Sequence, residues 1–561
     1  MEKPQVFYTY DWAMAVQRAY AKHVSPQIFL AYEEDSLAGV VALGRRTTGE
    51  FAFLAADTGD YCDFLSEPGK RQQFIEMVFS ELRNRKAAKV VLTNLPADSA
   101  SADVISGTAS KGRYHLHVRP AYDCAQVRLG SAEEREALKQ SVHAKKRLRR
   151  NIRELTKRGG VTLWHETGWN EIEDLLPSFM QAHIARFLET GKLSSLITEE
   201  RRTFLQELGR ELAQSGWLAF SRLLVGDVTA AWNYGFRFAG SWFWYQPTVN
   251  EVYWDFSPGY CLLAKIIELG CDMPQFNVVD MGLGAEGYKE RFANESRRTL
   301  YCELNSSLIR HWRTTMRARL SAAVTASPAI EKSVRSFVAR GAEIRNSVQV
   351  RGLGGVLWAM MRRIARALFS HDRVLFFEWP PDSRSPELPA THLQLLTSET
   401  LGRAAVQYGN DPASLRFLMR SAQRLRSGNG DGYALMTSDG LPVHFCWAKD
   451  FQGFEMAELD RSLHAPCNNA VMIFDCFTPE AARGHGFFPE AIALLARDLT
   501  SRGKSAWIFG AETNQASVHG IQKTGFRYRF TLGRRRLFFL SSVADSVHAD
   551  EQLRDESTIS G

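Results

Sequence analysis

Three stretches of the chain repeat one order of hydrophobic and polar positions: an apolar strand, a polar loop with glycine, an amphipathic helix and a second buried strand. The first contains "GEFAFLAAD", "EPGK", "RQQFIEMVFSELRNRK" and "AKVVLTNLP". The second contains "AGSWFWYQPTVN", "DFSPGY", "CLLAKIIELGCDM" and "FNVVDMG", and the third contains "AVMIFDCFTPE", "ARGHGFF", "PEAIALLARDLTSRG" and "SAWIFGAET". Helices that return to a further strand are typical of partly parallel sheets, so the pattern predicts an α/β (α+β) fold of three mixed-sheet units.

Length and composition predict where these units begin and end. The 561 residues exceed what one hydrophobic core organises. We expect units at residues 1–126, 127–305 and 390–541, a basic helical connector with a Pro-rich linker at 306–389, and a disordered polar tail at 542–561. The second unit opens with "SAEEREALKQSVHAKKRLRRNIRELTKRGG", whose acidic start and basic end fit the dipole of one helix.

The net charge of +7 is concentrated in the connector, where residues 306–373 carry 13 Lys or Arg against three acidic residues. Its later part, "GGVLWAMMRRIARALFSHDR", puts apolar and Arg residues on different sides of a helix. This pattern fits a helix on an anionic bilayer and equally a helix docked between units. The run "HAKKRLRRNIRELTKRGG" predicts a solvated helix face, with contact to a donor phosphate or tRNA as the other interpretation.

The sequence argues against several kinds of protein and site. No run of 18 apolar residues occurs, and the first 20 residues lack the regions of a signal peptide, so we expect a cytoplasmic protein that is at most peripheral at the inner membrane. Eight cysteines without CxxC pairs predict reduced thiols and no metal site. "RGHGFF" lacks the GxGxxG spacing of a Rossmann loop, and no GxxxxGKS/T occurs.

Two loops that lead into helices have the form of an anion cradle. Unpaired N–H groups at a helix N-terminus bind phosphate, and glycine lets the phosphate approach the main chain closely. The alternative is that glycine only turns or caps the chain. The candidate donor-binding residues in these loops are Ser257, Pro258, Gly259, Tyr260, Arg483, Gly484, His485, Gly486 and Phe487.

The third unit carries Arg483 and Gly486 between a strand and a helix, and later Asn514, Ser517, Gly525 and Phe526. These residues resemble the GNAT acetyltransferase superfamily, whose acetyl-CoA loop reads Gln/Arg-x-x-Gly-x-Gly/Ala. The resemblance implies an acyl-CoA donor bound by the loop and by Asn514. Phe488 stands where the last small residue is expected, and Ile521 stands where the usual tyrosine acid is expected. This unit is therefore expected to bind acyl-CoA with weak or no catalysis.

In residues 127–304, Ser257-Pro-Gly opens a helix, and a later strand ends in Asp280, two glycines (Gly282 and Gly284) and the pair Tyr288-Lys289. This order resembles the CelD-like acetyltransferases associated with bacterial cellulose and exopolysaccharide biosynthesis. A degenerate first unit paired with an active second also resembles the Fem-type peptidyltransferases, which use aminoacyl-tRNA and in which a similarly placed lysine contributes to catalysis.

Acyl transfer from a thioester needs no covalent nucleophile, which suits a stretch with no Ser-His or Cys cluster. Lys289 is a candidate for stabilising the oxyanion or a donor phosphate, and Tyr288 for protonating the departing thiolate. Asp280 is a candidate base or a group that orients Lys289. The structural alternatives are a packed tyrosine, a solvated lysine and an aspartate that caps a turn.

Aromatic residues around the strand "SWFWYQP" offer faces that stack on sugar rings. Alternation along the strand predicts Trp242, Trp244 and Gln246 on one face, which is expected to line an acceptor cleft. A core strand has the same composition, and that is the alternative. The candidate acceptor-binding residues are Trp232, Asn233, Trp244 and Gln246.

Together these features predict an acyl-CoA-dependent N- or O-acyltransferase, with acetyl-CoA as the expected donor and no metal. The acceptor, a saccharide, sugar nucleotide or lipid-linked precursor of envelope or exopolysaccharide synthesis, follows from the resemblance alone. A Fem-type aminoacyl-tRNA-dependent transferase and a non-catalytic CoA-binding accessory protein are the alternatives. Contact with the membrane or with a polysaccharide synthesis complex is assigned to residues 306–373, and nucleic acid is expected only with a tRNA donor.

Overall fold

The computed structural model describes residues 4–284, 287–325, 369–380, 391–456, 459, 461–537 and 540–546. The chain divides into two compact units. The first comprises Met1–Arg186 and Ser194–Pro328, and the second comprises Phe187–Leu193 and Ala329–Gly561. Within the described residues, no helix is both long and apolar enough to cross a bilayer.

The first unit is built from ten helices and twelve strands among the described residues. Its helices are α1 (Tyr10–Tyr20), α2 (Arg71–Asn84), α3 (Ala100–Lys111), α4 (Ala132–Ala144), α5 (Lys146–Thr156), α6 (Trp169–Glu173), α7 (Leu176–Glu189), α8 (Glu199–Gln214), α9 (Pro258–Asp272) and α10 (Leu308–Thr325). Its strands are β1 (Val24–Glu33), β2 (Ser36–Arg46), β3 (Phe51–Phe53), β4 (Leu65–Ser66), β5 (Lys89–Pro96), β6 (His115–Arg128), β7 (Val161–Glu166), β8 (Leu218–Val225), β9 (Val228–Phe238), β10 (Ser241–Val249), β11 (Val278–Leu283) and β12 (Glu295–Asn305).

All twelve strands form one sheet, in the order β1-β2-β3-β5-β12-β6-β11-β10-β9-β8-β7 with β4 paired to β2. The pairs β3–β5 and β10–β11 are parallel, and α2 and α9 connect them. Strand β6 pairs with both β11 and β12, while β12 pairs with β5. The predicted boundary between residues 126 and 127 therefore falls inside β6, because the strands on its two sides interleave in one sheet.

The second unit has a separate eight-stranded sheet. The strands of this sheet are β13 (Phe369–Glu378), β14 (His392–Leu395), β15 (Asp431–Met436), β16 (Pro442–Asp450), β19 (Ala470–Phe477), β20 (Ser505–Ala511), β21 (Arg527–Leu537) and β22 (Leu540–Ser546). The unit also contains the strands β17 (Phe454–Met456) and β18 (Arg461–Leu463) and the helices α11 (Ser398–Gln407), α12 (Pro412–Ser427), α13 (Phe487–Ser501) and α14 (Gln515–Lys523). The order is β14-β15-β16-β19-β20-β13-β21-β22, with β17 and β18 as a separate hairpin. Strands β19 and β20 are parallel and α13 connects them.

Strand β13 corrects the predicted connector. It pairs with β20 on one side and β21 on the other, in the interior of the sheet. The third unit therefore starts before residue 390, and residues 369–373 are not helical as predicted. The reason is the apolar run that follows them: Phe376 and Phe377 are fully buried among the other strands. Residues 326–368, which include the proposed bilayer helix, lie outside the described residues, as do 381–390 and 547–561.

The predicted α/β class is confirmed. Each of the three repeated stretches contains a helix between two parallel strands, as the hydrophobic pattern predicts. A further element also differs from the prediction: the helix predicted over residues 131–160 is broken at Lys145, which has extended ψ (106°) between α4 and α5. The break lets Leu148 and Leu155 of α5 pack into the core beneath α9. All eight cysteines are free thiols, and six are buried.

Candidate functional site

A cavity of about 310 Å³ opens where the parallel strands β10 and β11 separate. Their ladder has three residue pairs and ends at Phe243 and Asp280. The next residue of β10, Trp244, already lines the cavity. The crevice beyond the carboxyl ends of parallel strands is where α/β sheets bind ligands. The lining residues are Arg147, Arg186, Trp244, Pro247, Val249, Trp254, Ser257, Pro258, Gly259, Tyr260, Tyr288 and Arg291.

The first turn of α9 forms one wall of this cavity. Ser257 precedes the helix with φ +48° and ψ 56°, a left-handed conformation that costs a side-chain-bearing residue free energy. Pro258 has no N–H, and the N–H of Tyr260 donates to the Ser257 carbonyl at 3.0 Å. The N–H of Gly259 has no acceptor among the residues that the structure describes. The turn thus offers an N–H group and the positive end of a helix dipole to an anion.

Three arginines surround this turn. The sequence marked Arg147 only as one cation of the basic run 143–160, and it did not single out Arg186 or Arg291. Arg147 lies in the first turn of α5 and donates through Nη2 to Ser257 Oγ at 3.1 Å. Arg186 donates through Nη1 to the Pro247 carbonyl at 3.0 Å. Arg291 lines the cavity two residues after Lys289. None of the described lining residues is Asp or Glu, so the cavity wall is strongly positive.

Aromatic side chains form the rest of the cavity wall. The indole N–H of Trp244 donates to the Tyr288 hydroxyl at 3.2 Å. Tyr260 stacks on Phe292 with ring centroids 4.6 Å apart. The structure therefore brings together the predicted loop 257–260, the predicted acid Tyr288 and the predicted acceptor residue Trp244.

Lys289 and Asp280 do not line the cavity, and they lie in a buried polar cluster beside β11. Asp280 accepts hydrogen bonds from Tyr61 at 2.8 Å, from Gln126 at 2.6 Å and from the N–H of Gly282 at 2.9 Å. Burial raises the pKa of Asp280, although these three hydrogen bonds oppose the rise. Lys289 is 5% exposed and donates through Nζ to the Leu283 carbonyl at 3.2 Å. Tyr288 and Lys289 thus separate, one into the cavity wall and the other into the interior.

Asp60 completes this cluster and comes from the first repeated stretch. Burial, and then repulsion from Asp280, raises its pKa to about 7, while Lys289 lowers it. Gly282 has φ +70°, and a Cβ there would lie 2.6 Å from Asp60 Oδ2. Glycine is therefore required at position 282 both for its backbone conformation and for the approach of this carboxyl group. No motif in the sequence marks Asp60.

The four predicted acceptor residues lie on two faces of the sheet. The register between β9 and β10 shifts between Phe243 and Gln246, which is a β-bulge. Trp244 packs with Trp242 in the core that contains α9, as expected. Gln246 pairs with Tyr234, whose ring lies against Phe179 and Phe220 on the opposite face. The prediction that Trp244 and Gln246 share a face is therefore wrong, because the bulge adds a residue to the strand.

Trp232 and Asn233 are neighbours in β9 and so point to opposite faces. Asn233 pairs with Ser221, between Ala219 and Leu223 of the core that contains α9. Trp232 is on the other side. Asn233 is fully buried and Trp232 is 6% exposed, and neither lines the cavity.

In the loop Arg483–Phe488 of the second unit, residues 483–486 are exposed, and Phe487 and Phe488 are partly buried. Gly484 and Gly486 have φ of +84° and +80°, and Gly486 precedes α13. Arg483 donates through Nε to the Thr478 carbonyl at 3.2 Å, and the rings of His485 and Phe487 stack 5.7 Å apart.

The two residues of this unit that differ from the acyl-CoA pattern, Phe488 and Ile521, are packed against other side chains. The ring of Phe488 lies 5.7 Å from the ring of His444. A Cβ added to Gly520 would lie 2.8 Å from the Phe488 ring. Ile521 is fully buried in the core, and Asn514 caps α14 by accepting from the Ser517 N–H at 3.2 Å. Burial lowers the pKa of His444 to about 3.

Comparison with known proteins identifies one segment of this chain. Residues 143–290, which contain α9, β10, β11 and most of the cavity wall, match the family model of an acetyltransferase (GNAT) domain. No curated protein sequence matches the chain.

Solved structures resemble about half of the chain at low identity. FemX is 9% identical, covering 55% of this chain and 93% of its own, with a TM-score of 0.37. L-PGS from Bacillus licheniformis is 10% identical, covering 56% of this chain and 96% of its own, with a TM-score of 0.37. A tandem GNAT protein from the clavulanic acid biosynthesis pathway is 10% identical, covering 54% of this chain and 89% of its own, with a TM-score of 0.33.

Proposed function

We propose that this protein is an acyl-CoA-dependent N- or O-acyltransferase whose reaction takes place at the cavity beside α9. The observation that carries the proposal is the meeting, in one cavity of the GNAT-matching segment, of a helix N-terminus, three arginines and the Tyr288 hydroxyl. An anion with several negative charges fits this wall, and a neutral ligand would leave its charge uncompensated.

The diphosphate of a CoA donor suits the α9 side of the cavity. Arg147, Arg291 and the N–H of Gly259 are the groups that would hold it. The volume of about 310 Å³ is at the lower end for a ligand cavity, so it accommodates the diphosphate and adjoining groups rather than the whole coenzyme. A bound acyl-CoA supplies the thioester whose acyl group is transferred.

Tyr288 is the residue we assign to the leaving group. When the acceptor oxygen or nitrogen attacks the thioester carbon, the new bond forms as the C–S bond breaks, and the departing thiolate takes a proton from the Tyr288 hydroxyl. The proton that the acceptor loses passes to solvent, from which Tyr288 regains its own. The hydroxyl of Tyr288 lies at the cavity wall and is held by the indole N–H of Trp244, so it is placed to donate that proton. Lys289 and Asp280 are positioning residues, because their hydrogen bonds to Leu283 and Gly282 hold the turn that leads to Tyr288.

The acceptor is proposed to be a saccharide, a sugar nucleotide or a lipid-linked precursor of envelope or exopolysaccharide synthesis. Trp254, which is partly exposed, supplies a flat apolar face next to the positive wall, whereas Trp244 is fully buried and holds the Tyr288 hydroxyl from behind. A sugar ring that carries phosphate would use both features, by stacking on an indole and pairing with an arginine. This acceptor class is the one that the CelD-like resemblance implies.

Isothermal titration with acetyl-CoA tests the donor assignment. Arg147→Ala removes one side chain from the cavity wall, and Arg150→Ala removes an exposed arginine of the same helix that does not line it. We expect Arg147→Ala to weaken binding about tenfold, since a hydrogen bond to a charged group contributes about 1.5 kcal/mol or more. Arg150→Ala is expected to leave the Kd within about twofold. Equal weakening by both variants would remove the assignment.

A second candidate is a Fem-type transfer from aminoacyl-tRNA. The observation that favours it is the exposed basic face of α5, which continues from Arg147 along the helix. Its exposed side chains are Lys146, Arg149, Arg150 and Arg153. Charged tRNA would then bind with an affinity that falls steeply with salt, and acetyl-CoA would not bind. Titrating both donors at two salt concentrations separates the candidates.

A further inference from the structure

Helix α10 presents large apolar side chains to solvent on one side. Leu308 is 66% exposed, Ile309 is 67% exposed and Trp312 is 63% exposed. Leu308 and Trp312 are four residues apart and so lie on one side of the helix, with Ile309 next to them. Single exposed apolar residues are ordinary, but three that adjoin one another on a helix form a patch.

The opposite side of α10 is fixed to the first unit. Thr314 donates through its hydroxyl to Glu303 of β12 at 2.6 Å. The ring of His311 lies 5.9 Å from that of His115 in β6. These contacts set the rotation of the helix about its axis, so the apolar patch faces outward as a rigid feature of the fold.

Arginines flank the apolar patch. Arg313 follows Ile309 by four residues and Arg317 follows Arg313 by four, so these two exposed arginines form the ridge beside the patch. The helix sequence "LIRHWRTTMRARLSAAVT" contains four arginines and no acidic residue. An apolar strip with a tryptophan, bordered by cations, is the composition of a helix that lies in the interface of an anionic bilayer.

We propose that the outer face of α10, formed by Leu308, Ile309, Trp312 and the arginines beside them, docks this protein on an anionic lipid surface. The partner follows from charge complementarity: the apolar residues enter the headgroup region while the arginines pair with lipid phosphates. A protein partner would need acidic groups around an apolar groove, whereas a bilayer presents both over any area. The inference does not depend on the acyl donor or on Tyr288.

This surface lies within residues 306–373, to which the sequence assigns membrane contact, but outside the later stretch whose pattern fits a helix on a bilayer. That stretch, within residues 354–373, lies largely outside the described residues. Helix α10 belongs to the same basic segment 306–373, but its exposed patch is set by contacts with β6 and β12. Docking through α10 would hold the first unit, which contains the cavity, at the lipid surface.

Flotation of the full-length protein with lipid vesicles tests the proposal. The probes are phosphatidylcholine vesicles with and without one quarter phosphatidylglycerol. We expect binding to the anionic vesicles only, weakened by high salt because the charges are exposed. Arg313→Glu is expected to lower the partition coefficient at least about fivefold, and Trp312→Ser to lower it about as much.

Matched controls alter exposed residues elsewhere in the first unit. Tyr10→Ser removes an aromatic side chain that is 74% exposed, and Arg45→Glu reverses an exposed charge on β2. Both are expected to bind like the unaltered protein, and thermal unfolding checks that every variant is folded. The proposal is overturned if anionic vesicles do not float the protein, or if Trp312→Ser and Arg313→Glu bind as well as the controls. A concentration-dependent dimer that Trp312→Ser abolishes, without lipid binding, would likewise overturn it and assign the patch to a second copy.

Discussion

Replacing Asp60 by Asn should remove a pH dependence from the stability of the first unit. The folded chain holds the pKa of Asp60 at about 7, against an ordinary value of 3.8, through burial and the nearby Asp280. The folded state therefore keeps a proton that the unfolded state releases above about pH 4. Stability is fully present below the unfolded pKa and is lost as pH rises toward the folded pKa.

The expected size follows from this difference. Since one pKa unit corresponds to about 1.4 kcal/mol, the easier ionisation of Asp60 in the unfolded chain lowers the unfolding free energy by about 4 kcal/mol at pH 8 and about 1.6 kcal/mol at pH 5. The unfolding free energy of the unaltered protein should fall by about 2–3 kcal/mol more than that of Asp60→Asn over this range. The comparison cancels the titrating groups that do not interact with Asp60, whereas Asp280 and Lys289 interact with it.

Urea unfolding at the two pH values, followed by tryptophan fluorescence, measures this quantity. Asp57→Asn is the matched control, because Asp57 lies three residues earlier with a side chain 69% exposed and pairs with Arg46 at the surface. The control should follow the pH dependence of the unaltered protein. Parallel curves for Asp60→Asn and the unaltered protein would show that Asp60 ionises normally and would refute the reasoning.

Two further predictions concern Tyr288 and the second unit. Tyr288→Phe should lower the rate of thiol release about 100-fold while the Kd for acetyl-CoA stays within about twofold, whereas Tyr260→Phe should change the rate little; equal rates for both variants would place the acid elsewhere. Gly520→Ala should destabilise the second unit by about 1 kcal/mol in thermal unfolding, because the new methyl group meets the Phe488 ring at 2.8 Å and this crowding outweighs the better helix propensity of alanine. Phe488→Leu should reverse the loss, and an unchanged melting temperature would contradict the packing.

The hydrophobic pattern predicted the helices and strands of the fold, because the buried face of each element sets the spacing of its apolar residues. The loops and helices around Ser257 and Gly486 lie where the alternation of strand and helix placed them. What it could not predict is which strands pair. Strand β12 lies between β5 and β6, which precede it by roughly 200 residues in the chain. Strand β13 joins a sheet whose other strands all follow it in the chain.

The candidate site was predicted in part for the same reason. Ser257, Trp244 and Tyr288 carry recognisable patterns, and the fold brings them together. Arg147 lies 110 residues before Ser257 among several similar cations, so nothing local shows that it alone contacts the cap. The bulge after Phe243 reverses the expected side of Gln246, because strand alternation holds only while the ladder is regular.

A crystal structure of the protein with bound CoA tests the central claim most directly. The account predicts the diphosphate within hydrogen-bonding distance of the Gly259 N–H and of the Arg147 or Arg291 guanidinium, with the thiol end directed toward the Tyr288 hydroxyl. Coenzyme bound only at the Arg483–Phe488 loop, or a cavity beside α9 that stays empty at saturating CoA, would contradict it.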